Sequence, residues 1–198
     1  MHKIFYLMGK SATGKDHIYR ALAEDPDLRL QRLILYTTRP RRKEEKDGRE
    51  YFFVDENRLN LFRREGKVIE ERVYHTICGD WFYFTADDGQ VDLEQRDYLG
   101  IGTLESYCKM KDYFGPEKMV PLYIETEDSL RLERAIRRER KQNTPNYEEV
   151  CRRFLADSAD FSEEQIRSAG IGKRFANNGA LEACIRSVKQ FVQEAMRE

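Results

Sequence analysis

Two stretches of this chain combine residue types at spacings that suit phosphate chemistry. The first is Gly9-Lys10-Ser11-Ala12-Thr13-Gly14-Lys15-Asp16, which follows the apolar run Ile4-Phe5-Tyr6-Leu7-Met8 and leads into a helix-like segment. A Gly-x4-Gly-Lys turn in that setting lets main-chain N–H groups converge on phosphate oxygens. It also places the positive end of a helix dipole behind them and brings Lys15 within reach of the outer phosphates. The motif alone is weak, since roughly one chain in fifteen of this length carries it by chance. A strand before it and a helix after it are what give it weight. The residue after the lysine is Asp16, where the usual motif has a Ser or Thr hydroxyl that binds magnesium. A carboxylate is a hard oxygen ligand able to hold magnesium, and without metal it would repel bound phosphates. Asp16 therefore predicts an unusually strict magnesium requirement.

The second stretch runs from Tyr36-Thr37-Thr38-Arg39-Pro40-Arg41-Arg42 through an acidic linker to Asp47-Gly48-Arg49-Glu50-Tyr51-Phe52-Phe53-Val54. Arg39 and Arg42 lie three apart at the exit of a strand, where two planar guanidinium forks suit one phosphate dianion, and Tyr51 offers a phenolic hydrogen bond to it. The competing reading is a solvated charge run, because residues 39–50 hold six basic and four acidic groups. A third cationic cluster, Arg131 to Lys141, contains Arg134, Arg137, Arg138 and Arg140. It is followed by Asn143-Thr144-Pro145 and a helix carrying Arg152 and Arg153. A plain surface helix with pairs such as Glu133 and Arg137, four residues apart, is the alternative there.

The elements that must position these groups are legible from periodicity. Strand-like runs occur at 3–8, 31–37, 51–54, 68–74, 81–85, 98–102, 119–125 and 173–176, and helices are expected at 15–24, 56–65, 103–113, 127–141, 146–166 and 179–196. Leu181, Cys184, Ile185, Val188, Phe191 and Val192 share one helical face, as do Tyr147, Val150, Cys151, Phe154 and Leu155. Alternating strand and helix imply an α/β fold with a parallel core sheet, while the short strands between 51 and 85 read as a small mixed or antiparallel lobe. Ligands in such a sheet bind beyond the carboxyl ends of the strands, so the site belongs in a cleft between core and lobe.

Composition narrows the function classes. With 198 residues, 40% of them hydrophobic, the chain can close a full core as one domain with an inserted lobe. The net charge of −1, from 35 basic and 36 acidic residues, provides no global field for nucleic acid or an anionic membrane. Cys78, Cys108, Cys151 and Cys184 are widely spaced, and His2, His17 and His75 are scattered, so neither zinc nor a disulfide framework is expected. No charged leader or apolar stretch near the roughly 20 residues of a membrane span is evident, which makes the cytoplasm the expected location.

The order Thr-Thr-Arg-Pro-x-Arg, acidic linker, Asp-Gly-x-x-Tyr-x-Phe-Val resembles the nucleoside-monophosphate-binding segment of guanylate kinases and covers some 18 positions. The resemblance implies a P-loop core sheet flanked by helices, a nucleoside-monophosphate (NMP) lobe and a helical, arginine-bearing lid. These would map to about 1–35, 86–130 and 160–198 for the core, 36–85 for the lobe and 131–159 for the lid. It implies transfer of the γ-phosphoryl group of ATP to GMP with Mg2+, in a monomer or homodimer. Gly9 to Asp16 would bind ATP, with Lys15 catalytic and Asp16 a metal ligand. Arg39, Arg42 and Tyr51 would hold the GMP phosphate. Lys67-Val68-Ile69-Glu70-Glu71 is similar to the strand whose glutamate accepts hydrogen bonds from guanine, which maps to Glu70. Arg138 and Arg153 match the lid arginines that neutralise the phosphoryl group in flight, and Phe175-Ala176-Asn177-Asn178 looks like the segment edging the donor adenine, with Asn177 in contact.

Three departures fall on the acceptor and metal sides. Asp16 is one. In Asp97-Tyr98-Leu99-Gly100-Ile101-Gly102 a glycine stands where the family strand ends in an acidic residue, and the nearest carboxylate is Glu105. Gly79-Asp80-Trp81-Phe82-Tyr83-Phe84-Thr85 replaces a short Tyr-Gly-Ser or Tyr-Gly-Thr, so Trp81, Phe82 and Tyr83 reshape the acceptor pocket. They keep two alternatives open: a kinase for another small phosphorylated acceptor, such as another NMP or a ribose bisphosphate, and a non-catalytic binding module of the same fold.

Overall fold

The computed structural model describes residues 1–76 and 79–197. Cys78 lies outside them, and Cys108, Cys151 and Cys184 are free thiols. In chain order the elements are β1 (Ile4–Met8), α1 (Lys15–Ala23), β2 (Gln31–Arg32), β3 (Tyr36–Thr37), β4 (Phe52–Phe53), α2 (Glu56–Arg64), β5 (Val68–Thr76) and β6 (Gly79–Ala86). There follow β7 (Tyr98–Gly102), α3 (Leu104–Phe114), β8 (Met119–Glu125), α4 (Asp128–Glu139), α5 (Tyr147–Asp160), α6 (Glu163–Ser168), β9 (Arg174–Ala176) and α7 (Leu181–Ala195).

β1 is buried along its whole length because both of its faces are covered. Ile4, Tyr6 and Met8 pack on one side with Tyr107, Met110, Tyr123 and Phe161, while Phe5 and Leu7 pack on the other with Ile18, Leu22, Val188 and Val192. A fully apolar run of five is what a central parallel strand requires. The sheet order is β2-β7-β1-β8-β9, and every pairing in it is parallel. A second sheet, β4-β3-β6-β5, combines one parallel with two antiparallel pairings and has its own small core of Tyr36, Leu59, Phe62, Phe84 and Ala86.

Two elements differ from the sequence reading. The run 31–37 is two strands in different sheets: Gln31 and Arg32 pair with β7, whereas Tyr36 and Thr37 pair with β4 and β6. Extended backbone continues between them, with Leu33 N–H bonded to Leu99 O and Phe52 N–H to Leu35 O, so periodicity could not reveal the change of partner. The helix expected at 146–166 is also two. It stops at Phe161, which turns into the core at 5% exposure, and restarts at Ser162, whose side chain caps the Gln165 amide at 3.3 Å. Ser162-Glu163-Glu164-Gln165 carries a helix-start signature that the long apolar face concealed.

The absence of an acidic residue at position 102 has a packing cause. The Tyr6 ring from β1 fills the space above Gly100 and Gly102, and its hydroxyl bonds Ser106 Oγ at 2.7 Å. A Cβ on Gly102 would meet Tyr6 Oη at 2.2 Å and Ser106 Oγ at 2.6 Å. Burial pushes the Tyr6 phenol far above its ordinary pKa, so it stays a neutral donor and acceptor. No helix among the described residues is long and apolar enough to cross a membrane.

Gly102→Ala should therefore destabilise the fold by about 1–3 kcal/mol, read as a lower urea midpoint at unchanged slope. Adding Tyr6→Phe, which removes the clashing hydroxyl, should recover part of the loss. An unchanged midpoint in the single variant would show that Tyr6 does not occupy that space.

Candidate functional site

The turn leaving β1 is built for close approach. Gly9 lies so near β8 that a Cβ there would meet Ile124 O at 2.5 Å. Gly14 adopts φ +85° as the N-cap of α1, and a Cβ on it would meet Asn177 Nδ2 at 2.7 Å. Only glycine combines that dihedral with that contact. Thr13, 1% exposed, closes the loop through a 2.9 Å hydrogen bond from Oγ1 to Lys10 O, and Asn177 Nδ2 donates to Thr13 O at 2.7 Å. Lys15 and Asp16 open the first turn of α1, at the positive end of its dipole.

A cavity of about 370 Å³ adjoins this loop, lined by Gly14, Lys15, Asp16, Arg134, Arg138 and Asn177 among others. Two of the three buried side-chain atoms without a hydrogen-bond partner among the described residues belong to this lining: Asn177 Oδ1 and Arg134 Nη1. Arg134 Nη2 donates to Asn177 O at 3.1 Å, which fixes the pair as one unit. An unpaired acceptor beside an unpaired donor in a cavity is a site waiting for a polar ligand edge.

The loop is braced from the opposite side. Asp157, on α5, accepts from the Ser11 amide at 2.7 Å. Arg131, on α4 and 1% exposed, bonds Asp128 at 2.8 Å, Ser11 O at 3.2 Å and Asp157 at 3.3 Å, with Phe154 beneath its guanidinium. Lys10 reaches Asp128 at 3.6 Å. Sequence reading missed this brace, since Arg131 was merged into a cationic cluster and Asp157 stood among ordinary surface acids. Arg138 borders both the cavity and a second hollow containing Arg153 and Glu149, and pairs with no carboxylate among the described residues. Arg153 is turned to Glu149 at 2.8 Å, beside Arg152, which bonds the same carboxylate at 2.7 Å.

Across the cleft, Arg39 is 4% exposed and every polar edge of it is engaged. Nε donates to Tyr83 Oη at 3.0 Å, Nη1 to Pro40 O at 2.9 Å and to Glu45 Oε2 at 2.7 Å, and Nη2 to Glu45 Oε1 at 2.5 Å. The Arg42 amide also donates to Glu45 Oε2, at 2.8 Å, while the Arg42 side chain is exposed. Arg39 and Arg42 thus converge on one anion, the first by guanidinium and the second by main chain. Tyr51 stands with its ring 5.3 Å from the Arg39 guanidinium and edge-on to Tyr83. Glu45 had been read only as part of an acidic linker; its spacing of three from Arg42 and six from Arg39 was the available signal.

The inner end of this face holds a second buried pair. Glu70, 2% exposed, accepts from Thr85 Oγ1 at 2.9 Å and from Arg72 Nε at 3.0 Å. Burial is the largest single influence and works against the Arg72 charge, but Glu70, with Tyr6 and Tyr74, more than offsets it and raises the Arg72 pKa. Arg72 carried no motif and was not anticipated.

With this geometry in place, known proteins give the context. The family model for guanylate kinase matches residues 1–78. The guanylate kinase of Porphyromonas gingivalis is 25% identical over 197 residues, covering 98% of both chains, and that of Coxiella burnetii is 29% identical over 81% of this chain and 75% of its own length. The chain is therefore similar to guanylate kinases, over residues 1–78 by the family model and over nearly its whole length at lower identity. A local match to the guanylate kinase of Nitrosomonas europaea reaches 36% identity but spans only 37% of that protein. The crystal structure of guanylate kinase from Anaplasma phagocytophilum shares the fold, with a TM-score of 0.63 at 20% identity, covering 98% of this chain and 85% of that one.

The Glu45 pairing has a pH signature. Arg39 holds the Glu45 carboxyl down from its ordinary 4.5 to about 2. A carboxyl depressed in the folded state contributes stability that is full above about pH 4.5 and is lost as pH falls toward 2. Glu45→Gln should flatten the stability profile across that window, measured by urea unfolding at a series of pH values. A profile superimposable on that of the parent chain would remove the pairing.

Proposed function

We propose that this protein is an ATP-dependent kinase that moves the γ-phosphoryl group of ATP to GMP, giving ADP and GDP. The observation that carries the reading is the donor cavity, where a strand-to-helix phosphate loop with Lys15 adjoins the unpartnered Asn177 Oδ1 and Arg134 Nη1. Asn177 offers an acceptor to the amino group of an adenine, and the loop amides and Lys15 hold its phosphates. Arg39 and Arg42 receive the acceptor phosphate, which exchanges with the Glu45 carboxylate for the same fork, and Tyr51 adds a phenolic donor. Arg138 and Arg153 belong to a lid of about 131–159 and close over the cleft, excluding water from the transfer. The region about 36–85 serves as the acceptor lobe, and the remaining chain is the core. No covalent intermediate is needed, because phosphoryl transfer depends on in-line placement and on neutralising the oxygens.

Magnesium fits this donor set. The Asp16 carboxylate is exposed in the first turn of α1 and lines the same cavity as Lys15, and magnesium is commonly held by one or two carboxylates plus substrate phosphates. When bound, the ion supplies charge neutralisation to the donor phosphates. Because Asp16 adds negative charge beside them, activity should fall to background with chelator and should not be rescued by a monovalent salt.

A second reading follows from Arg72. A buried cation at the inner end of the acceptor face suits a second anionic group, so a ribose bisphosphate remains a rival acceptor. ADP release from magnesium ATP, measured separately with GMP, dGMP, AMP, CMP, UMP and a ribose bisphosphate, separates the two. Turnover confined to GMP and dGMP is expected, and turnover on the bisphosphate alone would replace the reading. Lys15→Ala should abolish the rise in melting temperature that ATP gives the parent chain. Arg39→Ala should raise the acceptor KM by the equivalent of about 1.5–3 kcal/mol, and unchanged acceptor kinetics would remove Arg39 from the site.

A further inference from the structure

Ala12 is one of two non-glycine residues with a left-handed backbone among the described residues, at φ +63°. A side chain with a Cβ disfavours that region, and such a residue persists only where its surroundings hold it there. Ala12 also lines the donor cavity, so the strain sits where phosphates would bind. The hydrogen bonds within the loop end on Lys10 O, which accepts from Thr13 Oγ1 at 2.9 Å and from the Thr13 amide at 3.4 Å. They do not reach the peptide that joins Ser11 to Ala12.

That peptide is held from outside the loop. Its plane helps to set the φ of Ala12, and its carbonyl, Ser11 O, accepts from Arg131 Nη1 at 3.2 Å. The peptide before it is pinned too, because the Ser11 amide donates to Asp157 Oδ2 at 2.7 Å. Arg131 Nη1 reaches the same Oδ2 at 3.3 Å, which closes a ring of three groups around Ser11. Arg131 is itself fixed: it is 1% exposed, its Nε and Nη2 bond Asp128 at 3.0 and 2.8 Å, and its guanidinium lies 4.5 Å from the centre of the Phe154 ring. The C=O and N–H of a trans peptide point in opposite directions, so Ser11 O on Arg131 turns the Ala12 N–H away from that side chain. The Ala12 N–H is bonded to no other residue among the described ones. A free amide at a left-handed residue is the geometry of an anion-binding nest.

We propose that Asp157 and Arg131 are positioning residues for the donor phosphates: they hold the Ser11–Ala12 peptide so that Ala12 stays left-handed and its N–H is presented to the anion. The inference rests on the ATP reading above. It goes beyond that reading by placing part of the donor affinity in two residues that bond the loop instead of the nucleotide. Both lie in the proposed lid, and Asp157 is four residues, about one turn, beyond Arg153 on α5. Seating of α5 therefore preorganises the loop, and a bound donor favours the seated helix in return.

The test is calorimetric binding of magnesium ATP and, separately, of GMP, each without the other. Asp157→Ala should weaken ATP binding about tenfold or more, the effect of losing a charged hydrogen-bond acceptor, and should leave the Kd for GMP unchanged. A purely structural role would instead lower the binding-competent fraction for both ligands at unchanged Kd. Adding Ala12→Gly should recover part of the ATP affinity, because glycine takes a positive φ without the Cβ penalty. Arg131→Lys is milder: it keeps a cation between Asp128 and Asp157 but lacks the fork that reaches Ser11 O, and it should weaken ATP binding in the same direction. An ATP Kd equal to the parent's in Asp157→Ala, or in Arg131→Lys where the first variant fails to fold, would overturn the inference and leave the ATP reading standing. So would equal weakening of ATP and GMP, or a double variant no better than Asp157→Ala. Absence of ATP binding by the parent chain would overturn the ATP reading itself, and this inference with it.

Discussion

A protein that concentrates guanidinium groups in a cleft must give each buried cation a carboxylate, because an uncompensated buried charge costs several kcal/mol. The rest of this site is arranged around that constraint. Arg39 is matched by Glu45, Arg72 by Glu70, and Arg131 by Asp128 and Asp157. The exposed arginines of the proposed lid obey a weaker version, since water screens them; Arg152 and Arg153 share Glu149, and Arg138 needs no partner. Two of these partners differ in what they permit. Glu45 lies on a loop at 14% side-chain exposure and can give way to a phosphate dianion, whereas Glu70 is sealed in a sheet and keeps its arginine oriented.

The same constraint links the Gly9–Asp16 loop to the proposed lid. Asp157 belongs to α5, yet it holds the Ser11 amide and the buried Arg131. A shift of α5 would therefore be felt at the phosphate loop through one carboxylate and one guanidinium, a short and rigid connection. Conformational coupling of this kind needs a contiguous set of contacts, and here every link lies within hydrogen-bond reach.

The departures from the family pattern also reduce to packing. Tyr6 extends under Gly100 and Gly102, and its hydroxyl engages Ser106, so a neutral phenol stands where a carboxylate was expected. A second buried carboxylate beside Glu70 would have added repulsion that the single Arg72 could not offset.

The sequence by itself determined the glycine-bearing turn from strand to helix, the order of strands and helices, the all-apolar β1 and the resemblance to guanylate kinases. These are local: a turn that needs glycines at fixed spacing and strands that reveal burial by period announce themselves within ten residues. Tertiary structure alone decided that 31–37 divides between two sheets, because an extended segment looks the same whichever edge it joins. It alone decided the partners of the cations. Arg39 and Glu45 are six residues apart in a run of ten charges, where spacing alone does not single out one acid, and Arg131 and Asp157 are on different helices, where spacing gives no signal at all. Arg72 was illegible for the same reason: its surroundings are Glu70 on the same strand, Tyr83 across the strand pair and Thr103 at the start of another element, neighbours that only strand pairing and the approach of α3 bring together.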